Sequence, residues 1–210
     1  MMDPGEILDG LTAIANDAYS VAVLWHIVIG GALVALTRGW RPSVLEAGAA
    51  LSSPVICVSA LAWIYGNPFN GTMFALLAVA LLTAALWSPR ALVARGPAWA
   101  FAAGLAMIAF GGFYPHFLID RPALSYVVAA PVGLLPCPTL SLLIGFLLLG
   151  DGIATPRLSL LMAAVGVLYA LMGVMVLGVT LDVGLLAGAL LLALRLGAPL
   201  AARPPHGDHP

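Results

Sequence analysis

Leu124–Gly150, LSYVVAAPVGLLPCPTLSLLIGFLLLG, is the stretch whose reading decides the fold. It is apolar enough to enter a bilayer, yet Pro131, Pro136 and Pro138 interrupt it. Each proline removes a backbone donor and its ring clashes with the preceding turn, so no unbroken helix fits. Within lipid, non-helical backbone survives only where protein or a water-lined cavity covers it. Other helices must therefore surround this segment, and Pro136-Cys137-Pro138 sets a thiol at the break.

Composition supports such a setting. The 210 residues are 62% hydrophobic and 8% charged, with a mean hydropathy of +1.09. Soluble domains carry about 25% charged residues, so this chain cannot clothe itself in a polar surface. No polar segment is long enough to build a sizeable soluble domain. Net charge is −1, and all eight cations are arginines. With no basic stripe, nucleic-acid binding is excluded. With no lysine, a retinal Schiff base is excluded as well. Met1–Asp17 holds Asp3, Glu6, Asp9 and Asp17 and no basic residue, unlike the n-region of a signal peptide.

Working outward from the broken segment, the pattern predicts an all-α polytopic membrane bundle of seven transmembrane helices. Residues 1–17 read as an amphipathic helix on the membrane surface. Asp3 caps it, Pro4 occupies its first position, and Ile7, Leu11, Ile14 and Ala18 share one face. Residues 18–196 hold the spans: Ala18–Thr37, Val44–Tyr65, Thr72–Trp87, Ala98–Phe117, the broken Leu124–Gly150, Arg157–Gly178 and Val183–Leu196. Residues 197–210 read as a disordered cytoplasmic tail. With the N-terminus outside and the C-terminus inside, every arginine except Arg121 falls on the cytoplasmic side, as the positive-inside rule requires. Tyr19, Trp63, Tyr65, Tyr114 and Tyr126 then gather near the outer interface, and Trp40, Trp87 and Trp99 near the inner one. The location expected is the cytoplasmic (bacterial inner) membrane. Gly184-x-x-x-Gly188 and the series Ala163, Gly166, Ala170 and Gly173 permit close helix contact, within one chain or across a homodimer.

Polar groups inside a membrane are costly and mark function by default. The candidates are few. His26, Cys57 and Cys137, with His116 at the mouth, form a candidate ligand set for a soft or borderline transition-metal ion. Their structural alternatives are a hydrogen-bonded core histidine and small apolar thiols. Glu46 is a candidate for proton coupling, or for pairing with Arg38 or Arg41 at the interface. Pro54 lies near Cys57 much as Pro136 lies beside Cys137, three spans apart and opposite in direction. Interrupted helices at matching places in two inverted halves point to a transporter site.

Gly133-Leu134-Leu135-Pro136-Cys137-Pro138-Thr139, preceded by Phe113-Tyr114-Pro115-His116-Phe117, resembles a group of uncharacterised bacterial multipass membrane proteins with a Pro-Cys-Pro-Thr motif. That resemblance covers about the central third of the chain and implies no assigned activity. The shorter Gly-x-x-Pro-Cys-Pro is similar to the nickel/cobalt exporters, without the His-rich segments those carry. Cysteine beside proline in two halves resembles the thiol-disulfide carriers of cytochrome c biogenesis, although there each cysteine follows its proline directly.

The leading expectation is a small permease whose small-molecule or ion substrate passes Pro136, Cys137, Pro138, Thr139, Ser141 and Glu46 in the lipid bilayer. The half-helix beginning near Thr139 is expected to turn free amides toward the substrate, favouring an anion or a polarised solute. One alternative is a membrane thiol-disulfide oxidoreductase cycling Cys57 and Cys137. The other is a non-catalytic accessory subunit bound to a partner membrane subunit. No catalytic constellation is read from the chain.

Overall fold

The computed structural model describes residues 3–87 and 89–197. Nine α-helices account for nearly all of the regular structure in these residues: α1 Pro4–Asp17, α2 Tyr19–Thr37, α3 Val44–Ile64, α4 Pro68–Leu86, α5 Ala98–Phe113, α6 Tyr126–Ala129, α7 Pro136–Leu149, α8 Pro156–Leu171 and α9 Asp182–Gly197. Two-residue strands, β1 Ala94–Arg95 and β2 Gly150–Asp151, pair antiparallel at one end of the bundle. The tail expected to be disordered, apart from Gly197, lies outside the described residues.

Four helices are long and apolar enough to cross a membrane: α2, α3, α4, and α8 together with the π-helical turn Met172–Val176 that extends it. The protein is an all-helical protein with membrane-compatible spans. Helices α5 and α7, with 16 and 14 residues, are shorter than the segments expected, whereas α9, with 16, extends the expected Val183–Leu196 by one residue at each end. At 1.5 Å per residue all three fall short of the ~30 Å hydrocarbon core. Local chemistry bounds α5 and α7. Pro115 bars Tyr114 from the α-helical region and ends α5, leaving Tyr114 at φ −45°, ψ 93°. Pro136 starts α7, and the π turn closes at Gly178, with φ +70°. Conversely, α4 starts before the expected Thr72, because Asn67 caps it and Pro68 occupies its first position.

The short helix α7 is the centre of the bundle. Every residue of it except Cys137 and Phe146 is buried, and α3, α5, α8 and α9 surround it. Glycines let α5 lie directly on it. A Cβ at Gly104 would come within 2.6 Å of the Gly145 carbonyl oxygen, and one at Gly111 within 2.6 Å of the Pro138 carbonyl oxygen. The expected small-residue face of α9 is filled within the chain, since Gly184 lies against the Phe110 ring and Gly188 against Met107. Gly166 of α8 similarly approaches Ala189 and Ile144.

Arg195, near the end of α9, closes the far end of α7. Its guanidinium donates to the Leu147, Leu148 and Gly150 carbonyl oxygens and pairs with Asp151. The last carbonyls of a helix have no partner inside it and carry its negative dipole end, so a cation there is doubly favourable.

At the opposite end lies α1. The expected capping box is formed, with Gly5 N donating to Asp3 Oδ2 at 3.1 Å and Asp3 N to Glu6 Oε2 at 3.3 Å. Its apolar face is covered by protein as well: Leu11, Ile14 and Ala15 pack with Ala129, Leu134 and Leu135 of the broken segment. Asn16 secures it, donating to the Phe117 carbonyl at 2.9 Å and accepting from Ile119 N at 3.1 Å. The Tyr65 hydroxyl donates to Asp17 at 2.9 Å.

Arg195→Met keeps the apolar stem and removes the donors, so it should cost about 2–4 kcal/mol, the scale of several charge-assisted hydrogen bonds lost together. Thermal unfolding in detergent reads this directly, and a variant as stable as wild type would show that the α7 carbonyls need no cap.

Candidate functional site

The break between α6 and α7 is a compact turn that satisfies itself. Ala130 leaves the helix at φ −54°, ψ 144°. Val132 N donates to the Ala130 carbonyl at 2.6 Å, and Leu134 N and Leu135 N donate to the Pro131 carbonyl at 3.3 and 3.0 Å. Gly133 N donates to Thr139 Oγ1 at 2.8 Å, and that hydroxyl donates onward to the Leu135 carbonyl at 2.7 Å. Pro131 and Pro136 have no N–H, so every donor from 131 to 136 is engaged. Gly133 is required twice over: its φ is +73°, and a Cβ there would collide with the Trp25 indole.

The opening of α7 carries the polar cluster. Asp182, the first residue of α9, is buried, at 2% exposure. Its Oδ1 accepts the Tyr114 hydroxyl at 2.7 Å, and its Oδ2 accepts the Cys137 thiol at 3.3 Å. Three elements thus meet on one carboxylate. The positive end of α9 favours negative charge at this position. Gly173, in the π-helical turn, makes room for it, because a Cβ at Gly173 would overlap Asp182 Oδ2. Such π turns within α-helices recur at functional sites.

Beside this cluster lies a cavity of about 220 Å³. Pro136, Cys137, Pro138 and Asp182 line one side, Asn70, Phe69 and Tyr169 another, and Ile7 and Leu11 of α1 close the end. The Tyr169 hydroxyl donates to Asn70 Oδ1 at 2.8 Å, tying α8 to α4 across the wall.

The residues singled out from sequence are distributed as follows. Pro136, Cys137 and Pro138 line the cavity. Thr139 and Ser141 are fully buried and turn their hydroxyls to backbone, Thr139 in the break and Ser141 toward the Cys137 carbonyl at 2.9 Å. Glu46 is exposed and closes a capping box with Ser43 at the start of α3, accepting from Ser43 N at 2.7 Å. It lines neither cavity wall nor break. The expected array of free amides also does not form. Pro136 and Pro138 have no N–H, and Thr139 N points to the Leu135 carbonyl at 3.4 Å.

The candidate metal ligands point to different partners. His26 lies between two carbonyl oxygens, Ala22 at 2.8 Å from Nδ1 and Gly112 at 3.0 Å from Nε2, which ties α2 to α5. His116 stacks edge-on against Phe117, with ring centroids 4.4 Å apart. Cys57 and Cys137 are free thiols, and Cys57 packs in the cluster around α1, whereas Cys137 packs with the central core. Among the described residues no group of three His, Cys, Asp or Glu side chains is close enough to hold a metal ion.

Sequence reasoning passed over Asp182, Tyr114, Asn70 and Tyr169. A signal for Asp182 was present, since it is the sole charged residue from Leu158 to Leu194. A lone acid in such a run is a functional candidate on cost alone. For Tyr114, Asn70 and Tyr169 only the tertiary contacts reveal the role.

Thr139→Val removes the acceptor for Gly133 N and should cost about 1–3 kcal/mol, the penalty of a buried donor left unpaired. Thr139→Ser keeps the hydroxyl and should stay within about 1 kcal/mol of wild type by thermal unfolding in detergent. Equal losses in both variants would assign the residue to packing alone. Comparison with models of known protein families, with curated proteins and with solved structures finds no match to this chain.

Proposed function

We propose that this chain is a small multipass transporter of the cytoplasmic membrane, with a path for a small solute or ion past the broken helix at Pro136-Cys137-Pro138. In this reading α2, α3, α4, α5, the α6–α7 pair, α8 and α9 are seven spans, with the N-terminus outside and the C-terminus inside. The arginine distribution supports the orientation, because Arg121 alone then faces outward.

One observation carries the reading: the cavity of about 220 Å³ lies where a central helix begins, and a buried carboxylate borders it. Desolvating an ionisable group is unfavourable, so a buried carboxylate beside a cavity supports a role in binding in addition to the contacts it makes with Tyr114 and Cys137. Ligand sites near the bilayer midplane at interrupted helices are a recurring arrangement in transporters. The short reach of α7 suits this as well, because a helix too short to span leaves depth for a cavity above its first residue.

Wild-type protein reconstituted in proteoliposomes should move at least one solute from a radiolabelled panel of inorganic ions, organic cations, organic anions and neutral metabolites. Pro136→Ala combined with Pro138→Ala should reduce that flux at least tenfold, while insertion and protein recovery match wild type. A panel without any flux above empty liposomes, or a double variant with undiminished flux, would overturn the proposal.

A further inference from the structure

The Asp182 carboxylate has no cationic partner among the described residues. Among the described residues the one ion pair joins Arg195 to Asp151, at the other end of α9. No arginine or histidine among the described residues lines the cavity. The titratable groups that face Asp182 are Tyr114 from the end of α5, Cys137 from α7 and, across the cavity, Tyr169 from α8. All are neutral donors. From α1 and α4 the wall receives Ile7, Leu11, Phe69 and Asn70, none of which carries charge. Two hydrogen bonds and the positive end of α9 offset part of the cost of burying this charge, and a proton on the carboxylate or a cation beside it would neutralise the rest.

The cavity walls specify which cation. Phe69, Phe117 and Tyr169 contribute aromatic rings, whose faces attract cations. Aside from Asp182, the polar groups on the wall are few, and two of them, Asn70 and Tyr169, already bond to each other. A strongly hydrated ion such as sodium would have to shed its water without replacement ligands, which hard cations do not tolerate. An ammonium ion bearing apolar substituents fits: its charge meets Asp182 and its carbon surface meets the rings and the prolines.

We propose that this cavity is a binding site for a small organic ammonium ion, held by Asp182 and the rings of Phe69, Phe117 and Tyr169, in competition with a proton on the same carboxylate. Binding stands on the cavity itself; the role of the ammonium ion as cargo rests on the transport reading. Exchange of the ion for a proton would keep the buried site neutral in both states, so either occupant allows the path to cycle.

Calorimetric titration of the full-length protein in lipid nanodiscs with benzyltrimethylammonium, and in parallel with sodium and potassium, tests the site. The organic cation should bind, the alkali ions should neither bind nor displace it, and its affinity should fall as pH is lowered. Asp182→Asn should bind it about a hundredfold more weakly, the scale of removing one half of a buried charge pair. A second readout needs no variant: a hydrophobic carbodiimide should modify Asp182 in the wild-type protein, located by peptide mass spectrometry, and benzyltrimethylammonium should slow that reaction. Unchanged binding in Asp182→Asn, displacement by sodium at equal concentration, or labelling of Asp182 indifferent to the saturating cation overturns the site. Organic-cation binding with no flux in proteoliposomes upholds the site and sinks the transport reading. Flux of another solute with no organic-cation binding does the reverse.

Discussion

A helix that starts and stops inside apolar surroundings must have its loose backbone groups satisfied by something other than water, and in this protein α9 does that for the last carbonyls of α7. The two helices run parallel, with α9 meeting α7 at both ends. Asp182 takes the thiol of Cys137 at the start, and Arg195 takes the Gly150 carbonyl at the finish; both pairs are 45 residues apart in sequence. One acid and one base on the same helix thus hold α7 at its two ends. The charges are matched to the ends they address only at the finish, where a cation meets the negative dipole end. At the start the acid benefits from the positive end of its own helix, α9.

This arrangement explains why the break is tolerated. The turn between α6 and α7 closes its own hydrogen bonds, with Thr139 serving as acceptor and donor at once. Helix α1 then lies over it, sealing Leu134 and Leu135 with Leu11 and Ile14. Membrane proteins admit irregular backbone where protein covers it or a cavity borders it, and both conditions hold here, with Leu11 and Leu135 shared between the covering cluster and the cavity wall. The covered side is apolar. The cavity side holds the thiol, the carboxylate and the aromatic rings. Glycine governs the fit on both sides: Gly133 admits the Trp25 indole, Gly173 admits the Asp182 carboxylate, and Gly104, Gly111 and Gly145 bring α5 onto α7. None of these positions has room for a methyl group without displacing a neighbour.

Several features were legible in the chain because they are local. Asp3 and Glu6 form the capping box that their spacing implies, whereas α7 opens at Pro136, three residues before the expected Thr139, so the interruption lies at residues 130–135 and not in the Pro-Cys-Pro itself. The apolar runs become helices, although α5 ends at Phe113, short of the expected Phe117, because Pro115 acts on the residue before it. Glu46 illustrates the opposite case. Its sequence surroundings suggested a role in the membrane, yet Ser43 three residues earlier makes it the second half of a cap. For His26 the sequence leaves both a ligand role and a hydrogen-bonded core role open, and its neighbours in the fold are main-chain carbonyls, which a sequence never displays.

By itself, the sequence determined that the protein is helical and rich in membrane-compatible segments, and that its prolines leave no single helix from Leu124 to Gly150. These follow from composition, from hydrophobic run length and from the missing proline N–H, none of which depends on distant residues. Only the tertiary structure decided that α7 is the central helix, that Thr139 locks the break, and that Tyr114, Cys137 and Asp182 share one buried cluster. Those residues are 45 and 68 positions apart in their pairings with Asp182. Contacts over such separations arise from how helices cross, and the crossings are set by glycines whose meaning is visible only once the opposing side chain is in place.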